Sequence, residues 1–381
     1  MNKICFITGT RADYGIMAPI MKNLRAKPDV TLQIIATNMH LSPRFGMTVN
    51  EIEDDGFHVD GKIESLADGD SASSMLISMS LVEQGLAHAF EELRPDLIVI
   101  LGDRYEALAA ASAAVVFNIP IDHLHGGEIT EGAIDDKFRN AITKLSDYHF
   151  ASTYQYAQRI VGMGAIPEHV FHSGAPGAEM IADESEQSAK FKEISGFDSQ
   201  QPFILVAMHP VTLSPDNGVS EVKEVVKCLK DFIPLGYKIL VTMPNSDTGH
   251  VSFFDIFRNW QSESPQSVVL VNSLGASLFH YAMTKASAMI GNSSAALIEA
   301  PSRRLPAVNV GIRQRGRASG ITVLNSLADA EDIKEKLVIA LSSDFKNSIS
   351  KLPVTEINPY YKENSTAFIA DTLCSLLKSI H

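Results

Sequence analysis

The sequence predicts an α/β protein of two doubly wound domains facing a central cleft. Short, continuous apolar runs rich in β-branched residues alternate with longer helical patterns, as in parallel sheets covered on both faces. The alternation pauses once near the middle of the chain and then restarts with the same strand–turn–helix grammar. The length of 381 residues exceeds what one hydrophobic core usually serves, and 45% hydrophobic residues supply material for two.

Taken in order, Lys3 to Thr8 reads as the first strand and Ala12 to Lys22 has helical spacing. Thr31 to Thr37 is the next strand, and Ser71 to Leu93 is a long amphipathic helix. Asp96 to Leu101 (DLIVIL) is a buried strand, followed by an Ala-rich helix over Tyr105 to Phe117. A strand over Ile119 to Leu124, a helix over Asp136 to Leu145 and a strand over His149 to Ser152 complete the first series. The pattern pauses at Gly174 to Gly177 (GAPG), and a polar stretch from Asp183 to Gln201 follows. The second series has strands at Phe203 to Met208, Tyr237 to Met243, Val268 to Val271, Ala288 to Ile290 and Ala307 to Val310. Its helices fall at Gly218 to Phe232, Phe253 to Trp260, Leu278 to Lys285 and Ser294 to Ala300, and a last helix covers about Ser365 to Ser379.

The formal net charge of -13 argues against polyanionic partners, so neither nucleic acid nor an anionic membrane surface is expected. Cys5, Cys228 and Cys374 are far apart and form no C-x-x-C pair, which implies no disulfide framework. The N-terminal MNKICFITGTRADYG has too short an apolar run for a signal peptide, and no stretch has the length of a transmembrane helix. A soluble, cytoplasmic protein is expected.

The informative polar clusters all follow strands, where side chains of such sheets meet ligands. The turn Gly9-Thr10-Arg11-Ala12-Asp13-Tyr14-Gly15 reads equally as an anion-binding turn, with Arg11 adding charge, and as a tight turn capped by Asp13. In Gly102-Asp103-Arg104-Tyr105-Glu106, Asp103 is a helix cap or an acid/base group, depending on its neighbours. The run from His123 through His125 to Glu128, then Glu131, Asp135, Asp136 and Arg139, supplies such neighbours. His-x-His followed by Glu has spacing that zinc could use. No Cys or third His lies close in sequence, however, so proton transfer is the preferred reading and no metal or cofactor is expected. His209, at the end of FILVAM, is a structural hydrogen-bonder or a cleft-facing group. Gly291-Asn292-Ser293-Ser294, with Glu299 behind it, reads as a phosphate cradle or a plain N-cap; Arg313, Arg315 and Arg317 form a local basic patch.

In order and spacing, GTRADYG, GDRYEAL, HGGEITEGAIDDKFRNAITKLSDYHF, HPVT, GNSS and VNVGIRQRGR resemble the hydrolysing branch of the UDP-N-acetylglucosamine 2-epimerase family. The resemblance spans nearly the whole chain. It implies two Rossmann-like domains of the glycosyltransferase-B type: residues 1–173, joined by a C-terminal helix (364–381) packing back on them, and a UDP-binding domain of residues 174–363. It also implies a UDP-sugar substrate, elimination of UDP to a 2-acetamidoglucal, and hydration to N-acetylmannosamine for sialic acid synthesis, in a homodimer or homotetramer. By similarity, Asp103 and Asp135 match catalytic carboxylates, His209 an active-site histidine and Arg139 a supporting residue. Arg11, Ser293, Ser294, Glu299 and Arg313 match UDP-binding positions; Asp13, Arg104 and Arg317 lie in the same motifs and are expected there too. One departure stands out: the family commonly has Glu where this chain has His125, so His125, Glu128 or Glu131 takes the proton-transfer role. The alternatives are the same chemistry on UDP-2,4-diacetamido-2,4,6-trideoxyglucose, of the legionaminic acid pathway, a retaining glycosyltransferase of the same fold, and a nucleotide-sugar sensor.

Overall fold

A computed structural model describes residues 2–179, 184–245 and 247–380. Asp183, at the head of the polar stretch noted above, lies outside the described residues. The strands are β1 (Asn2–Thr8), β2 (Val30–Thr37), β3 (Gly61–Ile63), β4 (Leu97–Leu101), β5 (Ile121–Leu124), β6 (Tyr148–Ala151) and β7 (Val170–His172). These form one parallel sheet in the order β3-β2-β1-β4-β5-β6-β7.

Alternate residues of β1 serve opposite cores. Ile4 and Phe6 pack with Met17, Ile20 and Leu24 of the Arg11–Arg25 helix and with Ile369, Leu373 and Leu377 of the Ser365–Ile380 helix. Cys5 and Ile7 pack on the other side with Val82, Leu86 and Phe90 of the Ala72–Leu93 helix and Ala110 and Ala114 of the Tyr105–Phe117 helix. Burial on both faces is why these strands read as apolar runs and not as alternating patterns. Ile369, Leu373 and Leu377 are fully buried, and at about 1.5–3 kcal/mol per side chain they tie the last helix firmly to this core.

The second sheet is also parallel. It comprises β8 (Phe203–Ala207), β9 (Lys238–Thr242), β10 (Val268–Val271), β11 (Ala288–Gly291), β12 (Ala307–Val310) and β13 (Val323–Ser326), in the order β10-β9-β8-β11-β12-β13. Phe203, Leu205, Leu240 and Met289 of this sheet pack with Phe191, Leu278 and Tyr281 from the flanking helices.

Contacts divide the chain into one unit of Met1–Glu128, Asp135–Glu179 and Lys362–His381, and a second of Ile129–Ile134 and Met180–Tyr361. Residues 174–179, expected with the second domain, group with the first. The Thr366 N–H and hydroxyl both donate to the Glu179 carboxylate, at 3.0 and 3.1 Å. The short segment Ile129–Ile134, expected with the first domain, groups with the second.

β3, β7 and β13, which the sequence reading omits, lie at sheet edges. They are three or four residues long and partly exposed, so neither length nor a continuous apolar run reveals them. In each sheet the chain order reverses once, between β1 and β4 and between β8 and β11. Ligands of doubly wound sheets bind beyond the carboxyl ends of strands at such a reversal. The turns after these four strands are Gly9–Thr10, leading into the Arg11–Arg25 helix, Gly102–Arg104, Met208–Pro210 and Asn292–Ser294. Among the described residues no helix is long and apolar enough to cross a membrane.

Candidate active site

In the first unit, β5 carries the densest set of ionisable groups. His123 is fully buried; its Nε2 lies 2.7 Å from the Gly102 carbonyl and its Nδ1 3.3 Å from Thr143 Oγ1. Burial, and then nearby His149 and Arg139, push its pKa down to about 3 against the Gly102 hydrogen bond, so it is neutral at physiological pH. His123 therefore holds the backbone turn that presents Asp103. His125 leaves the strand in the left-handed region, at φ 63°, which turns its ring away from the path of the strand. Its Nδ1 sits 2.9 Å from Glu128 Oε1, and Ser152 Oγ donates to the same oxygen at 2.5 Å. His125 Nε2 is buried and has no hydrogen-bond partner among the described residues. Glu128 is wholly buried, and Arg159 Nη1 donates to the Gly127 and Glu128 carbonyls at 2.8 and 3.1 Å. The carboxylate, the imidazole and the loop between them are thus each pinned.

Asp103 is held from a second direction. Arg139, on the Asp135–Leu145 helix, is almost fully buried and makes a close ion pair with Asp103; its other terminal nitrogen lies 4.0 Å from Asp136. Asp135 opens that helix and is half-buried. At the β1 turn, Thr10 and Asp13 form a reciprocal capping box: Thr10 N–H donates to Asp13 at 3.1 Å and Asp13 N–H to the Thr10 hydroxyl at 3.3 Å. Of the two roles open to Asp13, the structure displays the cap. Burial, then the neighbouring Glu106, push its pKa up to about 7. Arg104 Nε donates to buried Glu106 at 2.6 Å. Arg11 is half-buried, with its pKa lowered to about 10 by burial and supported by the charge of Glu51.

In the second unit, the turns after β8 and β11 are joined by a two-way bond. His209 N–H donates to Asn292 Oδ1 at 2.7 Å, and Asn292 Nδ2 donates to the His209 carbonyl at 2.8 Å. Gly291 permits this closeness: at φ 144°, an added Cβ would lie 2.0 Å from the Ala207 carbonyl oxygen. The Asn292 carbonyl accepts from Arg313 Nη1 (3.2 Å) and Gln314 Nε2 (2.8 Å), and Arg313 Nε reaches the Pro210 carbonyl at 3.3 Å. Arg317 Nη1 donates to Gln314 Oε1 at 2.8 Å, so Arg313 and Arg317 both brace this loop, whereas Arg315 is exposed. Ser293 is buried and its hydroxyl accepts from Ala295 N–H at 3.3 Å; Ser294 precedes the Ala295–Ile298 helix without capping it. Glu299 follows and is bound by His280 Nε2 at 2.9 Å. Glu131 belongs to this unit and pairs with Arg315 Nε at 2.8 Å, with half of its side chain exposed.

The model of the UDP-N-acetylglucosamine 2-epimerase family matches residues 22–374. The chain belongs to the UDP-N-acetylglucosamine 2-epimerase family. It is 35% identical over 349 residues to a GDP/UDP-N,N'-diacetylbacillosamine 2-epimerase (hydrolyzing) of Campylobacter jejuni, covering 91% of this chain and 89% of that one. It is 30% identical over 381 residues to the polysialic acid biosynthesis protein P7 of Escherichia coli, covering 100% and 95%. The UDP-GlcNAc 2-epimerase of Neisseria meningitidis, solved with UDP-GlcNAc bound, shares the fold at a TM-score of 0.79 and 17% identity, covering 98% and 100%. The resemblance to the hydrolysing branch, read from the motifs, is borne out, as is the glycosyltransferase-B type of fold.

In this epimerase-family chain the first unit holds two pairs, Asp103 with Arg139 and His125 with Glu128. In the second unit His209 and Arg313 bond Asn292, which Ser293 and Ser294 follow in the chain. The sequence reading passed over Ser152, Arg159, His280 and Gln314, and cast Asn292 only as a turn residue. Ser152 carried a signal, since it ends the β6 run; the other three lie on helices or in the basic loop with nothing local to single them out. Among the described residues no group of three or more His, Cys, Asp or Glu could hold a metal ion. The two histidines of His-x-His are committed elsewhere, His123 to a carbonyl and His125 to Glu128. An imidazole with one nitrogen on a buried carboxylate and the other buried and without a hydrogen-bond partner among the described residues has the arrangement of a general base.

Proposed function

We propose that this protein is a hydrolysing 2-epimerase of a UDP-linked 2-acetamido sugar, with His125 Nε2 as the atom that removes the proton from sugar carbon 2. The observation that carries the reading is the His125–Glu128 pair, with Nδ1 anchored at 2.9 Å and Nε2 buried and unpartnered among the described residues. In the first half of the reaction the carbon 2 proton leaves as the bond from carbon 1 to the UDP oxygen breaks, giving a 2-acetamidoglucal and UDP. In the second half water adds its hydroxyl at carbon 1 and a proton returns to carbon 2 on the other face, so one water is consumed per UDP released. Glu128 orients the imidazole and offsets the charge it gains. Asp103, held by Arg139, and Asp135 supply the carboxylates for the return proton and the attacking water. Arg11, His209, Ser293, Ser294 and Arg313 take the diphosphate, where negative charge accumulates as UDP departs. Glu299 takes the ribose hydroxyls. Asp13 and Arg104 serve as supports of the first turn, and Arg317 as a brace of the Arg313 loop.

For the sugar we favour a 2,4-diacetamido-2,4,6-trideoxyhexose, the substrate type named for the Campylobacter relative at 35% identity. UDP-N-acetylglucosamine, feeding sialic acid, is the second reading, supported by the Escherichia coli polysialic acid protein at 30% over the full chain. Proton NMR in heavy water with each sugar tests both. The expected result is UDP plus an inverted free sugar deuterated at carbon 2 from one of them. Turnover of UDP-N-acetylglucosamine alone would select the second reading, and no deuterium or UDP from either would refute the proposal. A cytoplasmic homodimer or homotetramer completes the reading, and light scattering of the purified chain tests the assembly.

A further inference from the structure

Glu299 occupies an unfavourable place for a carboxylate. It follows the Ala295–Ile298 helix as its C-cap, where peptide carbonyls point toward it, and only 13% of its side chain is exposed. A sequence tuned for stability alone would place an apolar residue there. Instead a second ionisable group is brought to it from another element. His280, on the Gly275–Lys285 helix, is 4% exposed and lies among Leu278, Tyr281 and Met283 on that helix's buried face. Its Nε2 is 2.9 Å from Glu299 Oε2. An ionised carboxylate only accepts, so His280 is the donor. Arg303 adds to the restraint, its Nη1 donating to the Glu299 carbonyl at 2.8 Å.

We propose that His280 is a positioning residue for nucleotide recognition: it fixes the plane of the Glu299 carboxylate so that this side chain can accept from both hydroxyls of a ribose. The proposal rests on the assignment of Glu299 to the ribose made above. A vicinal diol is recognised by a carboxylate that presents one acceptor to each hydroxyl, which requires a single side-chain orientation. Glu has three rotatable bonds, and unrestrained it would lose that freedom only on binding. An ionised carboxylate has about four acceptor sites, and His280 uses one of them to set the direction of the rest. His280 does not touch the reacting atoms, so its removal acts on affinity and on discrimination of the sugar of the nucleotide, with the chemical step spared.

The test is calorimetric binding of UDP and 2′-deoxy-UDP to the full chain, together with kcat and KM. The wild-type protein should prefer UDP by ~10-fold, the scale of one hydrogen bond to a charged group. Glu299→Gln should remove most of that preference. His280→Leu, which keeps bulk but no donor, should reduce it to ~2-fold and raise KM by ~10-fold while kcat stays within ~3-fold. His280→Gln can present an amide N–H near the Nε2 position and should retain the preference. His280→Asn is too short to reach and should lose it, which keeps the test open if the Leu variant does not fold. Preference retained in both the Leu and Asn variants, but lost in Glu299→Gln, would overturn the role of His280 and leave the ribose assignment standing. No preference in the wild-type protein, or one that survives Glu299→Gln, would overturn the ribose assignment itself.

Discussion

Replacing Glu128 by Gln probes the proton-transfer group without changing its shape. Glu128 Oε1 accepts from both His125 Nδ1, at 2.9 Å, and Ser152 Oγ, at 2.5 Å, and the side chain is 0% exposed. The amide of Gln can present an oxygen to one or both donors, but the negative charge that offsets an imidazolium is gone. A buried hydrogen bond to a charged group contributes about 1.5–3 kcal/mol. If that energy is realised when His125 takes the carbon 2 proton, kcat falls by ~10- to 150-fold. KM should move little, because the pair is assigned to the reacting carbon and not to UDP. The assay is continuous UDP release at saturating substrate, with deuterium incorporation at carbon 2 as a second readout. His125→Ala should cost at least as much, and the double variant should be no slower than His125→Ala alone, because Glu128 is taken to act through the imidazole. A folded Glu128→Gln protein within ~3-fold of wild-type kcat would refute the coupling, as would full additivity in the cycle.

Other outcomes follow from buried groups and close contacts. Gly132→Ala would place a Cβ 2.6 Å from Arg313 Cα and 2.7 Å from the Ile312 carbonyl, both backbone atoms, so the loop carrying Arg313 must shift. The expected cost is about 1–3 kcal/mol and a raised KM; Gly162→Ala, with nothing within 4 Å of the added Cβ, should leave both unchanged. His40 is fully buried between Thr8 Oγ1 and Thr48 Oγ1, at 2.9 and 2.8 Å, and burial lowers its pKa to about 4. Its folded pKa lies below the unfolded value, so the neutral ring favours the fold at neutral pH and that contribution is lost as pH falls from about 6.5 toward 4. In urea titrations the stability advantage of wild type over His40→Gln should shrink by ~2 kcal/mol between pH 7 and pH 5, and a constant gap would contradict the burial argument. Asp122 is fully buried with no hydrogen bond to either carboxyl oxygen among the described residues, and burial raises its pKa well above the ordinary range. Stability from a raised carboxyl pKa falls as pH rises above about 4, so Asp122→Asn should be more stable than wild type at pH 8, with an advantage that narrows on acidification.

The parts of this protein legible in its sequence are those whose burial is two-sided. β4 reads as DLIVIL because both faces of the sheet are covered, and the same holds for FILVAM over β8. The strand-end turns could be found because glycines and chemistry-bearing polar residues follow such runs directly, as in Gly9-Thr10-Arg11, Gly102-Asp103-Arg104 and Gly291-Asn292-Ser293. β3, β7 and β13 escaped because they are edge strands of three or four residues without the continuous apolar run that marks β10, also at an edge. The allegiance of Ile129–Ile134 escaped for another reason. Nothing in EITEGAI states that Glu131 will pair with Arg315, or that Ile134 N–H will donate to Thr212 Oγ1 at 2.9 Å, because contacts spanning that many residues leave no local pattern.

The candidate site shows the same division in sharper form. Residue types with chemistry were visible, but which atoms are committed to structure was not. His123 and His125 are two residues apart and alike in sequence, yet one is spent on the Gly102 carbonyl and the other is held by a carboxylate. The difference is one backbone torsion, the positive φ of His125, which takes the ring off the alternation of the strand. Glu128, Glu131 and Asp135 are likewise equivalent as letters. Only Glu128 reaches His125 Nδ1, while Glu131 is half-exposed against an arginine. By the resemblance His125 stands where the family commonly has glutamate, and on the proposed roles that need not change the reaction. On those roles the imidazole carries the proton, and Glu128, three residues along, keeps a buried negative charge beside it. That substitution predicts its own reversal: His125→Glu alone would set a second carboxylate against Glu128 in a site with no room for two charges, and should fold poorly or lose turnover. His125→Glu combined with Glu128→Gln should recover turnover relative to His125→Glu, measured as UDP release. Failure of the pair to recover would mean that the imidazole does more than carry the proton.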